Sequence, residues 1–191
     1  MLKYKAPLQI FIILEKLNIQ VWTSKSNLPN TFFLLIPQKW FFTLNNIFKF
    51  EINFWNSYLV EMSAVDCSNY KDNNIFNNIF FSKNKLIVFY LYFFFFLKIK
   101  LKVLFFFNFF KKNNIISIDS LFNNANWIER EASEMFGINY LFKKDVRKLL
   151  MDYSNIENPL LKNYPSSGYS DVFYNFFEDQ VCLNVNSSNE L

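Results

Sequence analysis

Few residues in this 191-residue chain could carry chemistry, because it contains no histidine and only two cysteines. Without histidine there is no Ser–His or Cys–His nucleophile pair and no imidazole ligand for a metal. Cys67 and Cys182 lie too far apart to form the clustered thiolates of an iron–sulfur centre, and we expect both to be reduced and partly buried. Glu131 and Glu134 have the spacing of an acid–base pair, but a position on a capped helix favours a structural role. The sequence therefore predicts no catalytic residue.

Glycine and arginine are rare in this chain, and their positions are informative. The chain has 27 Phe and 10 Tyr but only 2 Gly, a bias towards A/T-rich codons that indicates an organellar genome. Two glycines cannot build a glycine-rich loop that cradles phosphate. The glycines are Gly137 and Gly168 and the arginines are Arg130 and Arg147, so all four lie between residues 130 and 168. Since Lys cannot replace a bidentate guanidinium and few residues tolerate a positive φ, this stretch is predicted to be the functional one.

One predicted helix positions the first of these residues. Asn126 and Glu129 have the spacing of a capping box, which would start the helix at Asn126 and place Glu129 in its first turn. Arg130 is expected to pair with Glu134 one turn later. Gly137 is expected to end the helix in the left-handed conformation. One apolar stripe would face the core, formed by Ile128, Ala132, Met135 and Phe136.

The remaining patterns predict further strands and a second helix. Strands are expected at 31–36, 59–66, 86–92 and 97–108, the last two as an antiparallel hairpin; a helix is expected after Pro37, and a loop at 69–84. Residues 158–169 read as irregular but carry four large apolar side chains, so this segment either wraps its own domain or lies on a partner. The alternation from Val172 to Val185 is typical of strands that add to a sheet edge.

The apolar run at 86–97 is too short to span a membrane. As a helix it would reach about 18 Å, against a hydrocarbon core of about 30 Å. Extending it would bury Lys98, Lys100 and Lys102 in lipid, at roughly 2.5–3.5 kcal/mol each. These lysines alternate with apolar residues, which indicates a half-buried strand.

The net charge of +4 does not indicate a nucleic-acid interface. Nucleic-acid binders gather Lys and Arg on one face, whereas the lysines here are scattered. The densest cluster, at 143–148, is interrupted by Asp145 and follows three glutamates.

Three ordered motifs carry a family resemblance. The chain reads ANWIEREASEMFGI at 125–138, DVRKLLMDY at 145–153, and PLLKNYP followed by GY at 159–169. These resemble the NuoC-type subunit of respiratory complex I, the NADH:ubiquinone oxidoreductase 30 kDa subunit family, with its pattern ANWxERExxDMFGI, HPDLRRILxDY and GHPLRKDFPxxGY. Weaker similarity covers most of residues 31–175. The departures are Lys143-Lys144 in place of His-Pro, Leu161 in place of Arg and Asn163 in place of Asp.

The resemblance implies a fold and a role. It implies an α+β fold with a mixed or antiparallel sheet flanked by helices, followed by an extended irregular C-terminal arm. The implied organisation is an N-terminal extension at 1–30, an α+β domain at 31–152 and a partner-binding arm at 153–191. Such a chain would be a non-redox structural subunit of the quinone module, bound chiefly to the large quinone-site subunit.

The resemblance also implies a setting. NADH, FMN, the iron–sulfur clusters and ubiquinone would all be bound by other subunits. The chain would be part of a hetero-oligomer, peripheral to the mitochondrial inner membrane on its matrix side, without a transmembrane helix or nucleic-acid partner, and encoded in the organelle.

The residues expected to support partner binding and assembly follow from the same motifs. They are Glu129, Arg130, Glu131, Phe136, Gly137, Asp145, Arg147, Asp152, Tyr153, Pro159, Leu160, Lys162, Tyr164, Pro165, Gly168 and Tyr169. We expect the change Arg130→Lys to weaken assembly while leaving the isolated domain folded.

Three alternatives remain open at the sequence level. The chain could be an organellar ribosomal protein, the corresponding subunit of a plastid complex, or a small integral membrane protein that uses residues 86–110.

Overall fold

A computed structural model of the chain describes residues 22–25, 31–36, 38–50, 57–68, 85–95, 98–108, 114–153 and 157–186. The strands are β1 (Trp22–Lys25), β2 (Thr31–Leu35), β3 (Ser57–Asp66), β4 (Lys85–Phe94), β5 (Ile99–Asn108), β6 (Ile115–Ile116), β7 (Tyr140–Leu141), β8 (Ser170–Asn175) and β9 (Gln180–Val185). The helices are α1 (Phe41–Phe50), preceded by a short 3-10 turn at Gln38–Trp40, and α2 (Ala125–Phe136).

Five strands form a mixed sheet in the order β1-β2-β5-β4-β3. β3, β4 and β5 form an antiparallel meander, in which β4 and β5 are the predicted hairpin. β2 pairs with β5 in parallel, with Thr31 opposite Lys100, and β1 adds outside β2 in antiparallel orientation. Residues 22–25, within the expected N-terminal extension, thus belong to the sheet. The α+β class and the mixed sheet agree with the sequence prediction.

The alternation along β4 and β5 fixes which side of the sheet is the core. Leu86, Val88, Tyr90 and Tyr92 are fully buried on one face, while their neighbours in sequence are only partly buried. On β5, Lys100 and Lys102 alternate with buried Leu101 and Val103, as a half-buried strand requires. The segment predicted to be sheet is therefore sheet.

Helix α1 covers the buried face of the sheet through aromatic contacts. The ring of Phe41 lies 4.5 Å from that of Tyr90, and Phe48 lies 5.2 Å from Tyr92, centroid to centroid. Asn45 is the polar exception in this layer: it is fully buried, its amide nitrogen donates to the Phe41 carbonyl at 2.8 Å, and its oxygen accepts from the Tyr92 hydroxyl. With both sides of the amide bonded, Asn45 sits in the core without an orphaned group.

Helix α2 packs against β3 at the other end of the meander. The Asn124 side chain donates to the Leu59 carbonyl at 3.1 Å, and the Tyr140 hydroxyl contacts the Met62 sulfur at 3.7 Å. The short parallel pair of β6 and β7 brackets α2 in sequence and brings residues 115–118 next to 140–143. This arrangement places the predicted functional stretch against one edge of the domain.

The expected C-terminal arm contains a two-stranded hairpin. β8 and β9 pair with each other in antiparallel register from Ser170–Val185 to Asn175–Gln180. The alternation predicted from Val172 to Val185 does correspond to strands, and β8 and β9 form a separate two-stranded sheet. The addition of these strands to the sheet edge of a partner stays a prediction. The predicted loop at 69–84 lies outside the described residues. No helix among the described residues is long and apolar enough to cross a bilayer.

Candidate functional site

Glu129 is fully buried and connects three segments of the chain. Its carboxylate accepts hydrogen bonds from the Ser117 hydroxyl at 2.6 Å and the Ile118 N–H at 2.9 Å, both just after β6. It also forms an ion pair with the Lys143 ammonium at 3.1 Å, whose side chain is equally inaccessible. Burial raises the pKa of Glu129, and these hydrogen bonds and Lys143 oppose that rise. The buried carboxylate therefore fixes the start of the loop that follows β7.

Arg130, the next residue on α2, binds that loop through all sides of its guanidinium. Its Nε donates to the Arg147 carbonyl at 2.8 Å and its Nη2 to the Lys148 carbonyl at 3.2 Å. Its Nη1 pairs with the Asp145 carboxylate at 3.2 Å. The side chain is 9% exposed, so these contacts lie inside the chain. A lysine has one ammonium and cannot reach three acceptors in this planar arrangement, which gives a physical reason for arginine here.

Glu134, one turn further along α2, binds three consecutive backbone N–H groups of the same loop. Its carboxylate accepts from Leu149, from Leu150 at 2.8 Å and from Met151 at 3.0 Å. Burial acts to raise its pKa, but these three donors outweigh burial and lower the pKa below its ordinary value. Residues 142–151 contain no helix or strand after Leu141, so α2 supplies the partners that regular structure would provide.

Asp145 joins the two arginines of the chain. Arg147 binds it in bidentate fashion, Nε to Oδ1 at 3.0 Å and Nη2 to Oδ2 at 2.9 Å, while Arg130 shares Oδ2. The side-chain hydrogen bonds from Arg147 hold the pKa of Asp145 far below its usual range. Arg147 itself is 75% exposed, so this pair lies at the surface while Arg130 lies beneath it.

The loop from Phe142 to Tyr153, called here the anchored loop, presents apolar side chains to solvent. Its backbone is bound from below by α2, and its exposed large apolar residues are Phe142, Val146, Leu150 and Tyr153. Fixed backbone with outward apolar, aromatic and arginine side chains is typical of the centre of a protein interface. The arrangement suits binding of another protein and contains no nucleophile–base pair.

The C-terminal arm begins by packing on the end of α2. Gly137 ends the helix at φ +69°, as predicted, and its N–H donates to the Ser133 carbonyl at 3.0 Å. A Cβ at this position would lie 2.7 Å from the side-chain nitrogen of Asn158. The Leu160 N–H donates to the Met135 carbonyl at 3.1 Å. Gly137 is therefore required both by its φ and by the close approach of the arm.

Asp66, at the end of β3, holds the next part of the arm. Its carboxylate accepts from the Ser68 N–H at 2.9 Å and the Lys162 N–H at 3.0 Å. Burial acts to raise the pKa of Asp66, but these hydrogen bonds outweigh burial and lower the pKa below its ordinary value. The neighbouring Cys67 is a buried free thiol whose pKa is raised by burial, and Cys182 is a half-buried free thiol. Both thiols are at least partly buried, as predicted.

Beyond Lys162 the arm turns towards the hairpin. Pro165 is buried, and the ring of Tyr164 meets that of Tyr169 edge to face at 5.2 Å. Gly168 adopts φ +71° and its N–H donates to the Pro165 carbonyl at 3.0 Å. Residues 160–162 thus contact their own domain, whereas Leu160 and Tyr169 remain exposed, so binding of this segment to a partner stays a prediction.

Three details of the helix differ from the sequence prediction. Helix α2 is capped at Asn124 without a side-chain hydrogen bond, and Asn126 lies inside it, so the predicted capping box is wrong. Glu129 lies beyond the first turn, because the helix begins at Ala125, and its carboxylate binds Ser117 and Ile118. The predicted pair of Arg130 with Glu134 is replaced by bonds from both to the anchored loop.

The structure brings some predicted site residues together and separates others. Glu129, Arg130, Asp145 and Arg147 converge, whereas Glu131 faces solvent and Phe136 lies in the core. Asp152 contributes its carbonyl to the Lys148 ammonium at 2.9 Å, and Pro159 and Leu160 lie at the start of the arm.

Four participants were not expected: Lys143, Glu134 in this role, Asp66 and Asn158. Lys143 carried a signal, since it replaces a family residue, but its buried partner could not be read from the sequence. In the described parts of the chain no three His, Cys, Asp or Glu side chains converge to hold a metal ion.

Comparisons of sequence agree with this architecture. A family model described as respiratory-chain NADH dehydrogenase, 30 Kd subunit, matches residues 36–170. NADH-ubiquinone oxidoreductase subunit 9 of Paramecium primaurelia is 35% identical over 189 residues, covering 99% of this chain and 88% of that protein. The subunit 9 of Paramecium tetraurelia is 34% identical over 175 residues, covering 92% and 82%. That of Acanthamoeba castellanii is 47% identical over 58 residues, or 30% of each chain.

Solved structures share the fold at low identity. A trypsin-resistant fragment of Nqo5 superposes with a TM-score of 0.55 at 14% identity, covering 73% of this chain and 98% of the fragment. A chain of the membrane-bound sulfane sulfur reductase, an archaeal respiratory membrane complex, gives a TM-score of 0.60 at 15% identity, covering 85% and 86%. At these identities the likeness extends to the fold alone.

Proposed function

The chain belongs to the respiratory-chain NADH dehydrogenase 30 kDa subunit family, and from that premise we propose that it is a non-redox structural subunit of the quinone module of complex I. In this role it binds the large quinone-site subunit in the hydrophilic arm, while NADH, FMN, the iron–sulfur clusters and ubiquinone are held by other subunits. Electron transfer from NADH to ubiquinone, coupled to proton translocation, then proceeds through its neighbours. We place the complex at the matrix side of the mitochondrial inner membrane and the gene in the organelle.

The observation that carries this proposal is the construction of the anchored loop. Three charged side chains on two successive turns of α2, buried or half-buried, fix a loop that has no regular structure. The fixed loop exposes four large apolar side chains, which are Phe142, Val146, Leu150 and Tyr153. Because the loop is already ordered, binding of a partner to them costs little further conformational entropy. Preorganisation of an exposed apolar surface is useful to a subunit that docks on another protein.

The proposed division of roles follows from burial. The buried residues Glu129, Arg130 and Phe136 support the surface from within, and Gly137 ends the helix beside the arm. Arg147 and Tyr153 are exposed enough to contact a partner. Residues of the arm, including Pro159, Lys162, Tyr164, Pro165 and Tyr169, position the hairpin. The ribosomal alternative does not fit the family membership.

The experiment is crosslinking and mass spectrometry of the isolated complex, with native gels of mitochondrial membranes. We expect this chain to co-migrate with NADH–quinone activity and to crosslink from Lys144 or Lys148 to the large quinone-site subunit. Sedimentation of the chain with ribosomes, or recovery as a free monomer in active mitochondria, would contradict the proposal. Alkaline carbonate extraction should release it from membranes as a peripheral protein.

A further inference from the structure

The hairpin of β8 and β9 has one apolar face and one polar face, and the apolar face is uncovered. In an antiparallel pair, directly opposite residues share a face. The pairs Val172–Leu183 and Tyr174–Val181 therefore lie on one face with Val185, and these five side chains are between 45% and 80% exposed. The opposite face carries Asp171, Asn184, Asn175 and Gln180, with Phe173 and Cys182 between them.

Both ends of the hairpin are fixed by its own hydrogen bonds. At the base, the Asn186 N–H donates to the Tyr169 carbonyl at 2.9 Å and its side chain donates to the Ser167 carbonyl at 3.0 Å. At the tip, the Tyr174 hydroxyl donates to Asp179, and the ring of Phe176 packs edge to face on Tyr174 at 5.0 Å. The apolar face thus continues to the tip, where Phe176 is 85% exposed.

A hairpin of two strands with an uncovered apolar face is marginal in water on its own. Among the described residues, the hydrogen bonds at its base reach only Ser167 and Tyr169 of the arm, and its apolar side chains stay exposed.

The sign of the charge indicates which occupant fits. Every Lys and Arg of the chain precedes residue 163, while Asp171, Glu178, Asp179 and Glu190 follow it. The tail therefore carries a formal charge of −4 and, since the whole chain is +4, the rest carries +8. A negative hairpin is repelled by nucleic acid and by anionic lipid, and it complements a positive protein surface.

We propose that the apolar face of the β8–β9 hairpin docks in an apolar groove rimmed by Lys or Arg on a neighbouring protein subunit. This rests on the proposed function, which supplies a complex for the arm to join, and it adds the chemistry of the surface that the hairpin recognises. Apolar contact at Val172, Leu183 and Val185 would supply most of the affinity. The carboxylates of Glu178 and Asp179 at the tip would fix orientation, and the acidic residues of the hairpin together would raise the rate of encounter.

The first test places a photo-crosslinking side chain at position 183 or, as a control on the opposite face, at position 173, in the full chain assembled with its complex. We expect position 183 to crosslink to a peptide of another subunit that contains Lys or Arg beside apolar residues, and position 173 to give at most a tenth of that yield. Crosslinks from position 183 to this chain, to a second copy, to lipid or to an acidic peptide would each overturn the proposal. Absence of the chain from the complex would instead overturn the proposed function.

The second test separates the apolar and charged contributions. Leu183→Thr keeps a β-forming residue and should weaken retention of the chain in the complex about tenfold under a salt wash, whereas Phe173→Thr, the same kind of change on the other face, should change it less than twofold. The double change Asp171→Lys with Glu178→Lys should slow association and abolish its salt dependence. Equal effects of Leu183→Thr and Phe173→Thr, or faster association after the charge reversal, would refute the assignment.

Discussion

Replacing Lys143 by Met is expected to destabilise the domain by leaving the Glu129 carboxylate buried without its counter-ion. Both side chains are inaccessible, and their charged atoms are 3.1 Å apart. Breaking one side of a buried ion pair costs about 3–5 kcal/mol at neutral pH. For a chain of this size, about 2–4 °C in Tm corresponds to each kcal/mol, so the Lys143→Met variant should melt about 6–20 °C lower.

The pH dependence identifies the cause. A carboxyl with a raised pKa in the folded state binds a proton more tightly there than in the unfolded chain, so its contribution to stability falls as pH rises from the unfolded to the folded pKa. Removing Lys143 raises the folded pKa of Glu129 further. The loss in the Lys143→Met variant should therefore be large at about pH 7.5 and small at about pH 3, which is below the ordinary pKa of glutamate, so that Glu129 is protonated in both states.

A double variant provides the control. Glu129→Gln removes the buried charge but keeps an amide oxygen that can accept from the Ile118 N–H, and its amide nitrogen can donate to the Ser117 hydroxyl oxygen. Combined with Lys143→Met, it should recover at least half of the lost stability at neutral pH. Urea titrations of the full chain followed by circular dichroism measure these differences. Equal losses at both pH values, or no recovery in the double variant, would refute the reasoning.

Three further predictions concern α2 and its contacts. Arg130→Lys keeps the positive charge but loses the planar guanidinium that binds three acceptors, so limited proteolysis within the anchored loop should be about 5–30-fold faster. The midpoint of global unfolding should stay unchanged; a lower midpoint in this variant would contradict a local effect. The pKa of Glu134 is lowered, so Glu134 stabilises the loop above the ordinary pKa of glutamate, and this stabilisation is lost as pH falls through the lowered pKa. Hydrogen exchange of the Leu150 and Met151 amides should become faster over the same pH range. Glu134→Gln should remove this pH dependence. Gly137→Ala should cost about 1–2 kcal/mol from its φ alone and more from the overlap with Asn158. Gly168→Ala, at a similar φ, should cost less because its methyl would meet only the Tyr164 hydroxyl at an ordinary contact distance of 3.6 Å. Equal costs by thermal melting would argue against the overlap.

The elements predicted well were those with a local cause. Alternation fixed β4 and β5, because side chains of a strand point to opposite faces whatever the rest of the chain does. Gly137 was predicted from its type, since a left-handed helix end needs no distant partner. The concentration of arginine and glycine also pointed to the stretch in which Arg130, Arg147 and Gly137 make their contacts.

The predictions that were wrong all concern side chains whose hydrogen-bond partners are distant in sequence. Spacing alone gave Asn126 and Glu129 as a capping box, but a buried donor pair at Ser117 and Ile118 competes for the same carboxylate. Likewise Arg130 and Glu134 stand one helical turn apart, yet backbone groups of the anchored loop offer each of them more hydrogen bonds than the other does. Neither competition is visible before the segments come together in space.

The parallel pairing of β2 with β5 has a consequence for how the molecule assembles in time. The β3–β4–β5 meander pairs strands that follow one another in sequence. Strand β2 pairs instead with β5, so Thr31 lies opposite Lys100, which is far from it in sequence. Contacts of such long sequence separation form late, after the entropy of closing the intervening loop is overcome. Strands β1 and β2 should accordingly be the last to join during refolding and the first to exchange their amide protons in the native state.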